Sequence, residues 1–381
     1  MSDTGRGGLR VLHVVNSLPM GGAERLLVDL ARPFAAAGMQ YRVIALESEG
    51  DKYGEALRTA GVEVHFLSKR GIRSPARIID IAAEIRRFRP HIVHAHLYPA
   101  ILWTAAAKKL APVASYILTE HNTLNRRMDY AMLQPLEHWL YRQYDAVAAI
   151  SEAVRDTLLG RLGSIVPRIA VIPNGVDIAR FHGSAGRERS DTAGRPPGAD
   201  FLVVMAARFN VQKDHATLLR AMKLLPSRFR LALAGEGEEM ESVKALAAGL
   251  GIAERVDFLG ARRDIPEIYA KAQAYVQSSN WEGFGLAAIE AMAAGLPVVA
   301  SKVPGLAEVV GGAGILFPPA DEAALAQALA NIAEDDLLAV RLSSAGRLRA
   351  AEYSIEACAR AYGALYQSLV YEKASKWTRK S

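Results

Sequence analysis

The chain has 381 residues, of which 51% are hydrophobic and 23% charged, and its formal net charge is +6. At roughly 100–200 residues per domain, this length predicts two domains. The composition is that of a globular protein, which excludes a disordered or membrane-embedded chain. The single cysteine, Cys358, excludes a disulfide framework and any cysteine-based zinc or iron–sulfur site. The excess of basic residues is compatible with an anionic ligand, but it is too small and too mixed to indicate a nucleic-acid partner.

The N-terminal residues 1–8 are polar and glycine-rich, without the apolar core of a signal peptide. No stretch of the sequence approaches the ~20 apolar residues that a membrane-spanning helix requires. We therefore expect a cytoplasmic protein, and peripheral association with the inner face of the plasma membrane stays open.

In the first half of the chain, short runs rich in β-branched residues alternate with longer segments of helical period. Such runs, with little polar alternation, are typical of parallel strands that are covered on both faces. The alternation predicts right-handed crossovers and a doubly wound open sheet. The predicted strands are residues 11–15, 41–46, 62–67, 92–95, 116–119, 146–150 and 169–172.

The pattern breaks at residues 182–200, which are poor in apolar residues and contain several glycines and prolines, as linkers do. The alternation then restarts, with strands predicted at 201–206, 229–234, 256–259, 274–277, 297–300 and 314–317. The predicted organisation is a doubly wound N-terminal domain over 1–180, a linker over 181–200, a second doubly wound domain over 201–354, and a C-terminal helix with a basic tail over 355–381 that packs back toward the N-terminal domain.

The segment 279–286, Ser-Asn-Trp-Glu-Gly-Phe-Gly-Leu, follows a predicted strand and leads into a predicted helix that carries Glu290. Gly283 and Gly285 allow a ligand to approach the backbone closely, and the free N–H groups at the helix start favour an anion. Because a carboxylate beside a phosphate is repelled, we expect Glu282 and Glu290 to accept hydrogen bonds from sugar hydroxyls. Spacing alone leaves open a glycine-rich turn with a solvated glutamate.

Two basic residues also lie between a predicted strand and the helix after it: Arg208 ends the strand, and Lys213 begins the helix. A guanidinium and an ammonium suit a diphosphate, which gains charge as its bond to a leaving sugar breaks. Two solvated basic side chains are the alternative. Gly21 and Gly22, between the first strand and its helix, also permit close backbone approach to a phosphate. Glu24 either caps that helix or contacts substrate.

Histidines also follow predicted strands. His94 and His96 share one face of a strand and lie near His91, but without a cysteine or an evident carboxylate as third ligand we expect no metal site. His96, at the strand end, is a candidate for the acceptor side. His121 lies just after another predicted strand, where a lone histidine is more often structural.

Taken in order, these segments resemble the retaining glycosyltransferases of family 4, which have the GT-B fold. The resemblance extends over nearly the whole chain and implies two doubly wound, Rossmann-like parallel-sheet domains that face across a cleft. It implies that the N-terminal domain binds the acceptor and the C-terminal domain the nucleotide. The segments that carry it are Gly-Gly-Ala-Glu at 21–24, Thr-Glu-His-Asn at 119–122, Ile-Pro-Asn-Gly-Val-Asp at 172–177, Arg208 with Lys213, Ala-Gly-Glu-Gly-Glu at 234–238, Glu-Gly-Phe-Gly-Leu with Glu290 at 282–290, and Ala-Met-Ala-Ala-Gly-Leu-Pro-Val-Val-Ala-Ser at 291–301.

The resemblance also implies roles for individual residues. It implies that Arg208 and Lys213 hold the donor pyrophosphate and that His121 contacts the donor sugar. Catalytic candidates are His121, Glu282, Arg208 and Lys213, and acceptor-side candidates are His96 and Glu24. The donor-binding candidates are Gly21, Gly22, Arg208, Lys213, Gly235, Arg262, Glu282, Gly283, Phe284, Gly285, Leu286 and Glu290.

The activity that the resemblance implies is retaining transfer of a hexosyl unit from a UDP- or GDP-type nucleoside diphosphate sugar. The acceptor would be a hydroxyl of a glycan or a lipid-linked acceptor, in bacterial surface polysaccharide or lipopolysaccharide synthesis. No Asp-x-Asp metal-chelating motif occurs in the sequence, so we expect neither a metal nor another cofactor. A sugar-nucleotide 2-epimerase of the same architecture and a non-catalytic sugar-nucleotide binding protein stay open, as does a covalent role for Glu282.

Other features of the sequence bear on these alternatives. Gly235 and Gly237 form half of a dinucleotide fingerprint, but Met240 stands where the third glycine belongs, so hydride transfer is poorly supported. Basic residues cluster at 69–89 and, around Trp377, in the tail at 373–380. Such clusters bind anionic lipid headgroups at ~1 kcal/mol per basic residue, and they are equally typical of solvated helix faces.

Overall fold

The structure is a computed structural model that describes residues 8–19, 21–48, 51–67, 71–112, 115–121, 130–165, 168–182 and 199–378. The chain divides into two units, one comprising Met1–Gly175 with Ile355–Ser381 and the other comprising Val176–Ser354. Each unit is built on one parallel sheet. Of the predicted linker, residues 183–198 lie outside the described residues.

The first unit begins with a regular alternation of strands and helices. In chain order these are β1 (Arg10–Val15), α1 (Gly22–Ala36), β2 (Gln40–Ala45), α2 (Gly54–Thr59), β3 (Glu63–Phe66), α3 (Arg77–Phe88), β4 (Ile92–His96), α4 (Ala100–Ala107), β5 (Ser115–Glu120), α5 (Gln134–Arg142), β6 (Ala146–Ala149), α6 (Glu152–Leu162) and β7 (Ile169–Val171).

The second unit repeats this alternation after a short helix. Its elements are α7 (Ala179–His182), β8 (Phe201–Ala206), α8 (His215–Leu224), β9 (Phe229–Ala234), α9 (Met240–Gly249), β10 (Val256–Gly260), α10 (Ile265–Lys271), β11 (Ala274–Gln277), α11 (Leu286–Ala293), β12 (Val298–Ser301), α12 (Pro304–Val310), β13 (Ile315–Phe317), α13 (Glu322–Glu334) and α14 (Asp336–Glu352).

The two sheets share one order over six strands, and the first sheet has β7 as a seventh strand. The first is ordered β3-β2-β1-β4-β5-β6-β7 and the second β10-β9-β8-β11-β12-β13, with parallel pairing throughout. Strands such as β4 and β11 are buried along their whole length, which explains why the sequence shows apolar runs rather than alternation. The predicted pair of doubly wound, Rossmann-like sheets is confirmed, and each predicted strand occurs within two residues of its expected bounds.

The last helix, α15 (Ile355–Thr378), belongs to the first unit. Its Tyr362 and Tyr366 are almost fully buried in the same apolar core as α1 and the sheet. Gly175, the last residue of the preceding segment, lies directly against this helix, since a β-carbon there would be 2.6 Å from the α-carbon of Ile355. The chain therefore returns to complete the core of its first unit.

The unit boundary differs slightly from the sequence-based expectation, which extended the first domain to residue 180. The N–H of Val176 donates to the carbonyl of Tyr353 at 2.9 Å, and Val176 forms a parallel bridge with Ser354. The ring of Phe181 packs against that of Tyr269, with centroids 6.1 Å apart. These contacts place residues 176–182 in the second unit.

Among the described helices, none is both long enough and apolar enough to cross a bilayer.

Candidate functional site

In the second unit, the predicted site residues collect where the strand order reverses, between β8 and β11. Arg208 follows β8, and the segment 278–285 follows β11. Ligands of open parallel sheets bind beyond the carboxyl ends of the strands at this reversal. The topology therefore brings together two loops that lie about 70 residues apart in the sequence.

The centre of this site is an ion pair between Lys213 Nζ and Glu282 Oε2. The two side chains are only 18% and 12% exposed, so the pair is largely removed from water. The same carboxylate oxygen accepts a hydrogen bond from Gln277 Nε2 at 2.8 Å and from the Ser279 hydroxyl at 3.3 Å. A carboxylate held by this many donors keeps a fixed orientation.

The loops that carry the pair are fastened to each other. The Asn210 side chain accepts from the N–H of Lys213 at 3.3 Å and so caps the short turn Val211–Lys213. The N–H of Asn280 donates to the Gln212 carbonyl at 2.8 Å, and the Ser278 hydroxyl donates to the Asp214 carbonyl at 2.9 Å. Lys213 is therefore held on a rigid turn, although it lies outside any long helix.

Glycines set the backbone of the surrounding loops. Gly285 has φ +112° and precedes α11, where a β-carbon would lie 2.7 Å from Leu306 Cδ1. Gly235 has φ +150°, and a β-carbon there would lie 1.9 Å from the Ala207 carbonyl oxygen. Only glycine fits these two positions, so the loops pack closely around the ends of β8 and β11.

Glu290 lies in α11, partly buried. Burial raises the pKa values of Tyr269 and Tyr275 well above the ordinary value of a tyrosine, and the charge of Glu290 raises both pKa values further. The Tyr275 hydroxyl donates to Gln277 Oε1 at 3.0 Å, and Gln277 in turn donates to Glu282. Tyr275 and the buried amide of Gln277 thus extend the hydrogen-bond network of Glu282 into the core.

Sequence reasoning missed the two glutamines. Gln277 is 1% exposed at the end of β11, and Gln212 Nε2 donates to the Trp281 carbonyl at 3.1 Å. A polar residue that ends a fully buried apolar strand was the available signal, because such a group needs a buried partner.

The remaining predicted donor residues occupy varied environments. Arg208 is exposed, and the described residues provide no carboxylate partner for it. Arg262 is exposed and its Nε donates to Asp264 Oδ1 at 2.8 Å. Phe284 is buried, with its ring edge-on to that of Tyr353. Leu286 is the first residue of α11.

In the first unit, Gly21 precedes α1, which begins at Gly22. Glu24 is only 7% exposed, and its Oε2 would lie 2.3 Å from a β-carbon at Gly21. The Glu24 carboxylate therefore folds back over the start of the helix, as the residue at position N3 of a capping box does. This placement matches the capping alternative for Glu24.

A line of imidazoles in the first unit runs from His13 in β1 through His96 at the end of β4 to His121, which follows β5. His13 Nδ1 lies 2.8 Å from His96 Nε2, and His96 Nδ1 lies 3.2 Å from His121 Nε2. His96 is 1% exposed, so its side chain contacts other histidines and is not open to an acceptor. Burial lowers the pKa of His13 to about 3 and that of His121 to about 4, which keeps both rings neutral near pH 7.

His94 lies beside this line but has other partners. Its Nδ1 is 2.7 Å from the Tyr366 hydroxyl, and its Nε2 is 2.6 Å from the Thr119 hydroxyl. His13, His94 and His96 have potential ligand nitrogens within 4.8 Å of one another, but a metal ion would have to break these hydrogen bonds. Sequence reasoning missed His13, although β1 and β4 place it directly beside His94.

The basic cluster predicted at 69–89 is not a uniformly exposed surface. Arg77 is fully buried and lies 3.5 Å from Asp80, Arg86 donates to the Leu110 carbonyl at 2.9 Å, and Arg87 lies 3.7 Å from Glu84. Lys69, Arg70, Arg379 and Lys380 lie outside the described residues, as do the side chains of Lys376 and Trp377.

Comparison with known families identifies both halves of the chain. Residues 20–180 match the sequence model of Glycosyltransferase Family 4, and residues 186–349 match that of Glycosyl transferases group 1. The chain belongs to glycosyltransferase family 4. It is similar to the lipopolysaccharide core biosynthesis mannosyltransferase LpcC of Rhizobium leguminosarum bv. viciae, with 35% identity over 62% of this chain and 68% of LpcC.

Another relative of this family 4 protein covers more of its length. The lipopolysaccharide core biosynthesis glycosyltransferase LpsE of Rhizobium meliloti is 29% identical over 90% of this chain and 94% of LpsE. Among solved structures, Anabaena HepE in complex with UDP matches 94% of this chain and 100% of its own, with a TM-score of 0.79 and 22% identity. This structural likeness agrees with the GT-B fold.

Proposed function

We propose that the protein is a metal-independent, retaining hexosyltransferase of the cytoplasm. It would move a sugar from a UDP- or GDP-type nucleoside diphosphate to a hydroxyl of a glycan or lipid-linked acceptor, in bacterial surface polysaccharide synthesis. The observation that carries this proposal is the largely buried Lys213–Glu282 pair, set on glycine-bearing loops at the sheet reversal of the second unit.

The pair suits a reaction in which negative charge develops on a leaving diphosphate. Lys213 is held on a rigid turn, and Arg208 precedes it in the same loop and is exposed. Both cations can therefore contact phosphate oxygens. Charge stabilisation by fixed groups of this kind is typically the largest catalytic contribution. The two cations and the helix N-terminus at Leu286 would take the place of a divalent ion.

The chemistry follows from what Glu282 already binds. Its carboxylate is engaged by Lys213, Gln277 and Ser279, which favours an orienting role over attack on the sugar. The acceptor hydroxyl would then attack the anomeric carbon from the face of the leaving group. The sugar–phosphate bond breaks, and a phosphate oxygen takes the acceptor proton, so configuration is retained. Glu290 would accept hydrogen bonds from the ribose hydroxyls, and His121 would contact the sugar.

The relatives support a sugar nucleotide as donor. The solved HepE structures include complexes with UDP and with UDP-glucose, and the LpcC and LpsE relatives belong to lipopolysaccharide core biosynthesis. Peripheral association with an anionic membrane remains a prediction that goes with a lipid-linked acceptor.

A thermal-shift panel of UDP, GDP, ADP, dTDP and their sugars tests the proposal. A ligand at 100 times its Kd stabilises by about 2.7 kcal/mol, which raises the melting temperature of a unit this size by several degrees. We expect one base to stand out and the shift to persist in EDTA. A panel without any shift contradicts the proposal. Incubation with UDP-N-acetylglucosamine alone, followed by NMR, would reveal an epimer if the protein is a 2-epimerase.

A further inference from the structure

The line of imidazoles in the first unit has the geometry of continuous hydrogen bonding. His13 and His96 have ring planes 14° apart and centroids 5.0 Å apart, yet their nearest nitrogens are 2.8 Å apart. Rings stacked face to face cannot bring ring atoms this close, so the two rings meet edge to edge. His96 and His121 continue the line, with centroids 5.5 Å and nitrogens 3.2 Å apart.

Neutral imidazoles in series leave only two arrangements of protons. Each neutral ring carries one N–H and one lone pair, and each of the two contacts needs one of each. If His96 donates to His121, its other nitrogen must accept from His13. If His96 donates to His13, it must accept from His121. The tautomers of all three rings therefore change together.

The surroundings of His13, at one end of the line, decide between these two arrangements of protons. His13 is fully buried, and its Nε2 has no hydrogen-bond partner among the described residues. The rings of Phe34 and Tyr41 lie beside it, with centroids at 6.3 and 4.9 Å. A buried N–H without a partner is rarer in proteins than an incompletely used acceptor. The lone pair of His13 therefore lies at Nε2, and its proton lies at Nδ1.

We propose that His13 and His96 are positioning residues that fix His121 as the tautomer protonated at Nδ1. His13 Nδ1–H donates to His96 Nε2, and His96 Nδ1–H donates to His121 Nε2. We call His13, His96 and His121 the relay. The lone pair of His121 is thereby occupied, and its N–H lies on the ring edge away from the other two histidines. His121 then presents a hydrogen-bond donor to an oxygen of the ligand. This last step rests on the proposed function, in which His121 contacts the donor sugar.

His94 is not a member of the relay, although its ring centroid is 4.2 Å from that of His96. Both of its nitrogens are bound, to Tyr366 and Thr119, and the Thr119 hydroxyl lies 3.1 Å from the Tyr362 hydroxyl. These hydrogen bonds connect the sheet to α15. It provides a histidine whose tautomer should not respond to changes at His13.

Long-range 1H–15N correlation spectra of the ligand-free, 15N-histidine-labelled protein at pH 7.5 test the relay. His121 is assigned from the signal lost in His121→Gln. We expect Nδ1–H to dominate, at up to about nine-tenths of His121, because one hydrogen bond is worth up to about a tenfold population ratio. A wild-type spectrum dominated by Nε2–H would overturn the proposal, and this measurement needs no variant at His13.

A matched pair of variants tests the part played by His13. Leucine and asparagine have nearly the same shape, but only asparagine can place an N–H where His13 Nδ1 lies. In His13→Leu the ratio of the two His121 tautomers should shift by about threefold to tenfold toward Nε2–H, and in His13→Asn it should return to the wild-type ratio. His94 should be unchanged in both. An unchanged ratio in His13→Leu contradicts the relay.

The relay and the proposed function fail separately. The tautomer measurement uses no substrate, so an absence of nucleotide binding would leave its result intact. Conversely, a protein that transfers sugar with His121 protonated at Nε2 would keep its proposed function and lose the relay.

Discussion

The two units share one strand order and place different chemistry at the point where that order reverses. In the second unit, Lys213 and Glu282 form a charged pair on loops outside the strands. In the first unit, His13 and His96 lie within strands and are fully buried, and none of the described residues offers them a carboxylate partner. Burial lowers the pKa of both below the ordinary range.

The difference shows how the same edge can hold charged or neutral groups. A side chain within a buried strand is surrounded by apolar residues, so only its neutral form is tolerated without a partner. At the ends of β8 and β11, hydroxyl, amide and ammonium groups donate to the Glu282 carboxylate. In the proposed reaction we therefore expect the second unit to stabilise charge and the first unit to provide neutral hydrogen bonds.

The largest expected effect is on turnover. Arg208→Ala and Lys213→Ala should each lower the turnover of the donor identified by the thermal-shift panel by about 10²–10³, as loss of one fixed electrostatic contact does. Initial rates measured under saturating donor check this. Arg208→Lys should recover little, because an ammonium cannot replace a bidentate fork. Lys244→Ala is the control, since the Lys244 side chain is 42% exposed and pairs with Glu241 in α9.

The same two variants should separate in stability. Lys213→Ala leaves the largely buried Glu282 carboxylate without its cation and should lower the free energy of unfolding by about 1–3 kcal/mol. Arg208→Ala removes an exposed side chain and should change it by less than about 0.5 kcal/mol. Equal losses in urea unfolding would contradict the contrast between a paired and an exposed cation.

Substitutions at two glycines test how tightly the backbone packs around the site of the second unit. Gly235→Ala should lower the free energy of unfolding by about 2–4 kcal/mol, because its φ of +150° and the Ala207 carbonyl at 1.9 Å leave no room for a β-carbon. Gly249→Ala, on the exposed end of α9 with nothing within 4 Å, should instead stabilise by about 0.4–1 kcal/mol. Urea midpoints that move in the same direction would contradict this assignment.

The sequence was sufficient for the fold and for the chemistry of single loops. Buried parallel strands produce uniform apolar runs, so β1 and β11 could be located, and glycine with acidic or basic residues after a strand indicated Glu282 and Lys213. Their direct pairing could not be predicted, because it depends on two loops that meet only in the folded sheet. For the same reason His13 was missed, since its partner His96 lies 83 residues away.

Another expected effect concerns acid stability and separates the units. The pKa of His13 in the folded state is about 3, below its ordinary value of 6.5, so the unfolded state binds the proton first as pH falls. Stability is then complete above pH 6.5 and falls by about 1.4 kcal/mol per pH unit for this group below it. His94, His96 and His121 shift in the same direction.

In the described part of the second unit, burial lowers the pKa of His215 to about 4, and that unit has no comparable histidine cluster. We therefore expect the first unit to unfold at higher pH than the second. Pulse-labelling hydrogen exchange at one fixed labelling pH, after equilibration between pH 7.5 and 4.5 in moderate urea, follows each unit separately. Simultaneous loss of protection in both units would show that the buried histidines do not set acid stability.

The smallest expected effect is that of Arg262→Ala. Its ion pair with Asp264 is exposed and local in sequence, and such pairs contribute little to folding. The melting temperature should stay the same while nucleotide affinity falls, if Arg262 borders the base. A lower melting temperature with unchanged affinity would assign Arg262 to structure.

Calorimetric titration of the nucleoside diphosphate identified by the panel tests the central claim most directly. The wild-type protein and Lys244→Ala should bind one equivalent with the same affinity. Glu290→Ala should bind about tenfold to a hundredfold more weakly, as expected when a carboxylate no longer accepts hydrogen bonds from ribose, with an unchanged circular dichroism spectrum. Equal affinity in Glu290→Ala and the wild type would contradict a donor site built on the loops after β8 and β11.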